Sequence, residues 1–140
     1  VAVSLPAFWH EETTAAGTPE WKQFVAPTGE PFPPRLAVEV RTCESDDVQP
    51  LLEAVGVEAS QRLDGFAPTK RTALDRFRPG ALALGFEFEA RVANTAFPAL
   101  GTIVAAPVRP GAAVVFTMVH TVGDRERQWD LARALQTLPR

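Results

Sequence analysis

The chain has 140 residues, of which 46% are hydrophobic and 22% charged, a composition that can bury the core of one domain without disulfides or metals. The net charge of −3 argues against a nucleic-acid surface, and the basic residues between Lys70 and Arg78 are spread along the segment and interrupted by other residues. Cys43 is the only cysteine, so an internal disulfide and a cysteine-pair zinc site are excluded. We therefore expect a single domain over residues 1–140, with Cys43 as a buried, inert thiol.

The sequence predicts no membrane-spanning helix and leaves a lipid anchor upstream of Val1 as the one route to membrane association. No apolar run reaches the length of about 18 residues that a transmembrane helix needs. The chain begins at Val1, without methionine and without the charged and apolar regions of a signal peptide. An export signal or a lipid anchor upstream of Val1 therefore stays open.

Three short strands are predicted before the first helix. Val1–Pro6 and Trp21–Pro27 are short apolar runs that each end at a proline. Thr28–Arg35, with four proline or glycine residues, predicts a turn. Leu36–Cys43 alternates apolar and polar residues with a period of two, which is typical of a strand.

A helix is predicted over roughly residues 45–60, where the apolar spacing changes. Apolar residues recur three to four positions apart from Val48 to Val55, which places them on one helical face. Ser45–Asp47 offers N-cap candidates, and Gly56 is a candidate for an interruption or an end of the helix.

The second half of the chain predicts four strands and a final helix. The strand over residues 81–92 is the clearest, because apolar residues alternate with charged ones toward its end. The two strands after it are apolar on both faces, which predicts central positions covered on both sides. Asp124 is the N-cap candidate of the final helix. The predicted elements are strands Thr72–Pro79, Ala81–Val92, Thr95–Val108 and Ala112–Val122, and a helix over residues 124–138.

The predicted order is therefore β-β-β-α-β-β-β-β-α. Strands joined by short turns are antiparallel, because a parallel pair needs a longer crossover. Two amphipathic helices are enough to cover a sheet whose inner strands are apolar. We expect an α+β fold in which an antiparallel β-sheet is sandwiched between the two helices.

The residues that could carry catalysis fit structural roles better. His120 ends a predicted strand, where one imidazole nitrogen would bond a neighbouring carbonyl, and no serine or cysteine lies at motif spacing from it. Glu87 and Glu89 share a strand face with Arg91, which predicts a solvated row with charge compensation. We expect no catalytic residue, no metal and no cofactor. A small hydrolase that uses His120 with nearby acids stays the enzymatic alternative.

Three segments carry a resemblance to a known family: VSLPAFWHEE, FVAPTGEPFPPRLAVEV and the closing VVFTMVHTVGDRERQWDLARALQTL. Together they resemble the PsbP-like superfamily, which groups the photosystem II extrinsic protein PsbP, a Ran-binding Mog protein and actinobacterial lipoproteins of the LpqN type. The resemblance implies an α-β-α sandwich and a binding or assembly role without enzyme activity. It supplies no catalytic residue.

Loop aromatics are the predicted contact site. The loop Pro6–Glu20 and the turn Thr28–Arg35 flank the same short strand, so antiparallel connections would bring them near one end of the sheet. Aromatic rings in proline-rich loops can anchor a partner, and they can equally cap the sheet as part of the core. The four predicted site residues are Phe8, Trp9, His10 and Phe32.

The sequence therefore predicts a non-enzymatic binding module that engages a protein partner or a small apolar ligand, and no nucleic acid. The excess of arginine over lysine indicates a GC-rich genome. We expect an extracytoplasmic domain of an actinobacterium-like cell envelope, secreted or lipid-anchored. The alternative is a cytoplasmic protein-assembly or GTPase-binding factor.

Overall fold

A computed structural model describes residues 5–6, 9–12, 21–26, 32–44, 46–122, 127–136 and 138. Those residues form seven strands and two helices in the predicted order. The elements are β1 His10–Glu12, β2 Trp21–Val25, β3 Arg35–Thr42, α1 Gln49–Arg62, β4 Ala67–Ala73, β5 Leu82–Val92, β6 Thr95–Arg109, β7 Ala112–Thr121 and α2 Arg127–Gln136.

The strands form one sheet in the order β1-β2-β3-β7-β6-β5-β4. Every neighbouring pair is antiparallel, as the short connections predicted. β7 lies between β3 and β6, so the last strand of the chain closes the sheet at its centre. The long β6 and β7 are therefore interior strands, which the apolar character of both their faces predicted.

Alternate residues of the central strands belong to two separate clusters. One cluster joins Leu52 and Val55 of α1 to Phe86 of β5 and to Ile103 of β6. We call this side of the sheet the α1 face. The other cluster joins residues of α2, such as Leu135, to β7 residues that alternate with those of the first cluster, and we call this side the α2 face. The alternation of β5 is also as predicted, with buried even-numbered residues from 84 to 90 and exposed Glu87, Glu89 and Arg91.

The predicted first strand does not coincide with β1. Residues 1–4 of Val1–Pro6 lie outside the described residues, and Leu5 and Pro6 are not in a strand. β1 instead lies within the predicted loop, where His10–Glu12 pair with β2. Three polar residues carry no apolar period, so nothing in their pattern indicated a strand.

The predicted strand Thr72–Pro79 is wrong beyond Ala73, where β4 ends. The amides of Phe77 and Arg78 both donate to the Leu74 carbonyl oxygen, at 2.9 and 3.0 Å, and this closes a turn. The Asp75 carboxylate accepts from the Gly80 amide at 3.0 Å and completes the reversal into β5. The apolar spacing of Leu74 and Phe77 therefore belongs to a turn.

Helix α1 begins and ends later than predicted. Val48 occupies the N-cap position without a side-chain cap, while Asp47 Oδ1 accepts the Gln49 amide at 3.0 Å. The prediction that Gly56 interrupts the helix is wrong, since α1 continues through this buried residue to Arg62.

Helix α1 is tied to β3 by an ion pair. The Arg41 guanidinium donates from Nη1 and Nη2 to the two carboxylate oxygens of Glu58, at 2.6 and 3.0 Å. Its Nε also donates to Glu39 at 2.8 Å. The hydrogen bond from Arg41 holds the pKa of the Glu58 carboxyl below its ordinary value, and the bond to Glu58 raises the pKa of Arg41. The charged forms of both groups therefore favour the docked helix.

Gly101 of β6 lies beneath an aromatic ring of its neighbour strand. It pairs with Phe86 of β5, and a Cβ added at Gly101 would lie 2.1 Å from Phe86 Cζ. That distance is far inside van der Waals contact. Glycine is therefore required here because the Phe86 ring occupies the space of a side chain.

Replacing Glu58 with glutamine is expected to lower the free energy of unfolding by about 0.5–1 kcal/mol at neutral pH, because the pair is half-exposed. The folded-state pKa of Glu58 is lowered, so the contribution is present above the ordinary carboxyl pKa of about 4.3 and is lost as pH falls through the lower folded-state pKa. Urea unfolding over a pH series measures this. Glu53→Gln is the control, since Glu53 makes a 3.3 Å contact with Arg71 in more exposed surroundings. Equal losses in the two variants at neutral pH would contradict the prediction.

Gly101→Ala is expected to lower the free energy of unfolding by about 1–3 kcal/mol, because the new methyl group displaces the Phe86 ring. The double variant Gly101→Ala with Phe86→Leu should cost less than the sum of the two single variants, since the smaller side chain vacates the space. Denaturant unfolding of the four proteins tests this coupling. Strict additivity would mean that the two positions do not share the space.

Candidate functional site

The α2 face carries a groove of about 530 Å³ between the β4 edge of the sheet and helix α2. We call it the α2 groove. This volume lies within the roughly 300–1,000 Å³ that is typical of small-molecule sites. Its lining residues are Thr69, Lys70, Thr72, Leu74, Phe77, Ala83, Gly85, Thr102, Val104, Leu131, Ala132 and Leu135.

The floor of the α2 groove consists of small and medium side chains on β5 and β6. Ala83 lies opposite Val104, and Gly85 lies opposite Thr102. A Cβ at Gly85 would lie 2.8 Å from Thr69 Oγ1, so β4 approaches this point of the floor too closely for a larger residue. The depth of the groove therefore follows from short side chains between taller walls.

The walls differ in polarity along the strands. At the level of Gly85, the register of β4 shifts between Pro68 and Arg71, and Thr69 and Lys70 line the groove there. Level with Ala83 the wall is Thr72, its pairing partner on β4, and beyond Thr72 the wall is the turn after β4, with Leu74 and Phe77. One end of the α2 groove is thus polar and the other apolar.

Lys70 is the charged residue among those that line the α2 groove. The next residue, Arg71, faces the opposite side of the sheet, where its Nη1 lies 3.3 Å from Glu53 Oε1 on α1. The Arg76 guanidinium lies 5.4 Å from the centre of the Phe77 ring, outside the lining. The basic segment of the sequence is therefore divided between two faces of the sheet.

Of the predicted site residues, Trp9 and His10 are described and Phe8 lies outside the described residues. Trp9 is 7% exposed and belongs to the cluster on the α2 face. Its indole Nε1 donates to Asp130 Oδ2 of α2 at 3.0 Å. His10 is exposed at the start of β1.

Phe32, the fourth predicted site residue, packs on the α1 face. Its ring meets Phe88 edge-on, with centroids 6.2 Å apart at an interplanar angle of 73°. It also lines a hollow of about 360 Å³ together with Arg35, Arg62 and Arg91. We call this the Phe32 hollow. Phe32 and Trp9 belong to clusters on opposite faces, so the structure does not bring these two rings together. That they contact a partner stays a prediction.

His120 is fully buried on β7. Its Nδ1 lies 2.8 Å from the Thr121 carbonyl oxygen. A carbonyl only accepts, so Nδ1 carries the proton and donates. The predicted bond to a neighbouring carbonyl is confirmed. Nε2 is buried without a hydrogen-bond partner within the described part of the chain.

In the acidic row on β5, the predicted charge compensation is found for Glu89. Arg91 Nη2 donates to Glu89 at 3.2 Å, and Arg91 Nε lies 3.7 Å from Asp64. Among the described residues, no group of three histidine, cysteine or acidic side chains is placed to hold a metal ion. Cys43 is half-buried, with Sγ 3.8 Å from the Asp47 carbonyl oxygen.

Neither helix in the described ranges combines the length and the apolar character that a bilayer span requires.

Sequence comparisons give no match, either to a protein-family model or to a curated protein. Solved structures do match. LpqN of Mycobacterium tuberculosis, involved in cell envelope biogenesis, aligns over 96% of this chain and 79% of its own at 16% identity, with a TM-score of 0.60. The Pseudomonas aeruginosa protein PA94, of unknown function, aligns over 96% and 99% at 20% identity, with a TM-score of 0.54. The Saccharomyces cerevisiae Ran-binding protein Mog1p aligns over 96% and 80% at 11% identity, with a TM-score of 0.60.

The chain has the PsbP-like fold. The predicted resemblance to the PsbP-like superfamily is therefore confirmed at the level of the fold. None of the three matched proteins is described as an enzyme. At these identities the matches carry no site residue over to this chain.

Within this PsbP-like fold, the α2 groove is the site that sequence reasoning missed. Its walls come from β4, which has no buried residue, and from a turn that was predicted as a strand. The available signal was GALALG, in which small residues alternate with leucines and thus predict a shallow strand face.

Trp9→Ala is expected to lower the free energy of unfolding by about 3 kcal/mol, because it empties a buried site and removes the bond to Asp130. His10→Ala is the matched control and should change it by less than about 0.5 kcal/mol, because the side chain is exposed. Urea unfolding measures both. A Trp9→Ala variant as stable as the wild type would show that the ring is dispensable for the core and free for a partner.

Proposed function

We propose that this chain is a non-enzymatic binding module of the cell envelope that holds a small apolar ligand in the α2 groove. The observation that carries this proposal is the groove itself, whose apolar floor and turn lie open to a ligand between the sheet edge and α2. Burying apolar surface contributes about 25 cal/mol per Å² removed from water, and this gain favours an apolar occupant.

The positions of the two histidines also favour a binding role over the hydrolase alternative. A general base must reach the proton that it removes. His120 is fully buried and engaged by the adjacent carbonyl, and His10 is exposed on a short edge strand. Among the described residues, neither histidine is paired with a serine, threonine or cysteine nucleophile.

The two helices fit this role as the covers of an α-β-α sandwich. Residues of α1 cluster with one face of the sheet and residues of α2 with the other. In the proposed architecture α2 serves both as the lid of its face and as one wall of the α2 groove.

An envelope location is supported by the likeness to LpqN, a protein of cell envelope biogenesis. We propose an extracytoplasmic domain, secreted or attached by a lipid anchor upstream of Val1, in an actinobacterium. The alternative, a cytoplasmic assembly or GTPase-binding factor, is supported by the likeness to the Ran-binding Mog1p. The gene sequence upstream of Val1 distinguishes the two: a signal peptide, with or without a lipobox cysteine, favours the envelope, and a nearby initiator methionine favours the cytoplasm.

A protein partner is the second candidate, at the predicted residues Phe8, Trp9, His10 and Phe32. The observation in its favour is the Phe32 hollow, where an aromatic ring lies beside arginines, a pairing that is frequent at protein interfaces. A partner that is lost on Phe32→Ala and retained on Thr102→Phe would be assigned to this hollow and not to the α2 groove.

Thr102→Phe is expected to weaken binding of a neutral apolar fluorophore, N-phenyl-1-naphthylamine, at least about tenfold, because the ring fills the floor of the α2 groove. Thr95→Phe is the matched control, an exposed position on the same strand outside the groove, and should bind as the wild type does. Fluorescence titration measures the affinities, and circular dichroism verifies that both variants are folded. Equal binding by the two variants would remove the groove as the site.

A further inference from the structure

We infer that the ligand of the α2 groove is a single-chain amphiphile with an anionic head, which lies with its head at Lys70 and its chain along the floor toward Phe77. This inference rests on the proposed function and adds the chemical class and the orientation of the ligand.

The polarity of the α2 groove changes along the direction of the strands. The polar end is built by Thr69 and Lys70 over Gly85, with Thr102 beside it. Two register pairs further along, the floor is Ala83 and Val104, with Thr72 beside Ala83. Beyond Thr72 the described lining is the apolar turn with Leu74 and Phe77. A ligand that is polar at one end and apolar over the rest of its length matches this arrangement.

The charge of the head follows from the charge of the lining. Lys70 is exposed at the polar end, and among the described residues no acidic side chain lines the α2 groove. The neighbouring arginine is engaged with Glu53 on the other face. A cation without an acidic neighbour in the lining attracts an anionic head, although the chain as a whole carries a net charge of −3.

The backbone of the groove floor favours an alkyl chain over an extended peptide. A peptide that adds to a sheet binds through main-chain hydrogen bonds. The floor strands β5 and β6 are interior, with β5 paired to β4 and to β6, and β6 paired to β7. Their main-chain groups are therefore committed to the sheet, and the floor offers side-chain contacts only. Such a surface suits hydrocarbon.

The experiment compares decanoate with decanol, which share one chain and differ in the charge of the head. Isothermal titration at low ionic strength is performed on the wild type, Lys70→Gln and Arg71→Gln. Arg71→Gln is the matched control, because it removes the same charge from the adjacent residue on the opposite face. We expect Lys70→Gln to weaken decanoate binding about three- to fivefold and to leave decanol unchanged, and Arg71→Gln to affect neither. Added salt should weaken decanoate binding to the wild type, because it screens an exposed charge.

Three results overturn the inference and separate its failure from that of the proposed function. If both compounds bind and Lys70→Gln changes their two affinities equally, the groove binds apolar chains without recognising the charge of the head group. If neither compound binds while the neutral fluorophore does and is lost on Thr102→Phe, the groove takes another occupant, such as the apolar side chains of a protein partner. If the fluorophore also fails to bind the wild type, the proposed function fails together with the inference.

Discussion

Burial of the two central strands on both faces is the constraint on which the rest of the structure depends. β6 and β7 place alternate residues in two separate clusters, so each face needs its own cover. Seven strands at a spacing of about 4.8 Å span roughly 30 Å, whereas a helix with its side chains is about 10 Å wide. A single helix is therefore too narrow to cover one whole face of such a sheet.

The two faces of β5 are covered differently. On the α1 face it presents Phe86 and Phe88, whose rings pack with each other at 5.7 Å between centroids. Phe66 adds a further ring at 4.8 Å from Phe86. On the α2 face the same strand presents Ala83 and Gly85, which cannot fill the space between β4 and α2. One face of β5 is thus closed by aromatic packing and α1, and the other is left as a groove.

The features that sequence could predict are those whose cause lies in neighbouring residues. The alternation of β5 and the bond from His120 to the next carbonyl are local, and both were predicted. The bounds of β4 were predicted wrongly because an edge strand with seven exposed residues has no apolar period. Leu74 and Phe77 were assigned to a strand by their apolar character, although they form a turn. The bond from Trp9 to Asp130 joins residues 121 positions apart, so only the folded chain brings them together. The α2 groove has the same character, because its walls come from distant segments.

Proteins that share this fold can have different roles, because the side chains at the margins of the sheet are not needed to hold the sheet together. Lys70 and Arg71 illustrate this on a scale of two residues. Composition treats them as one basic segment on a solvated face, yet the alternation of β4 sends Arg71 to an ion pair with α1 and leaves Lys70 at the α2 groove. The charge on Arg71 pairs with Glu53 of α1, whereas the charge on Lys70 has no acidic neighbour among the described residues of the groove lining. A ligand preference can therefore change by substitution at the rim while the central strands, and with them the fold, remain intact.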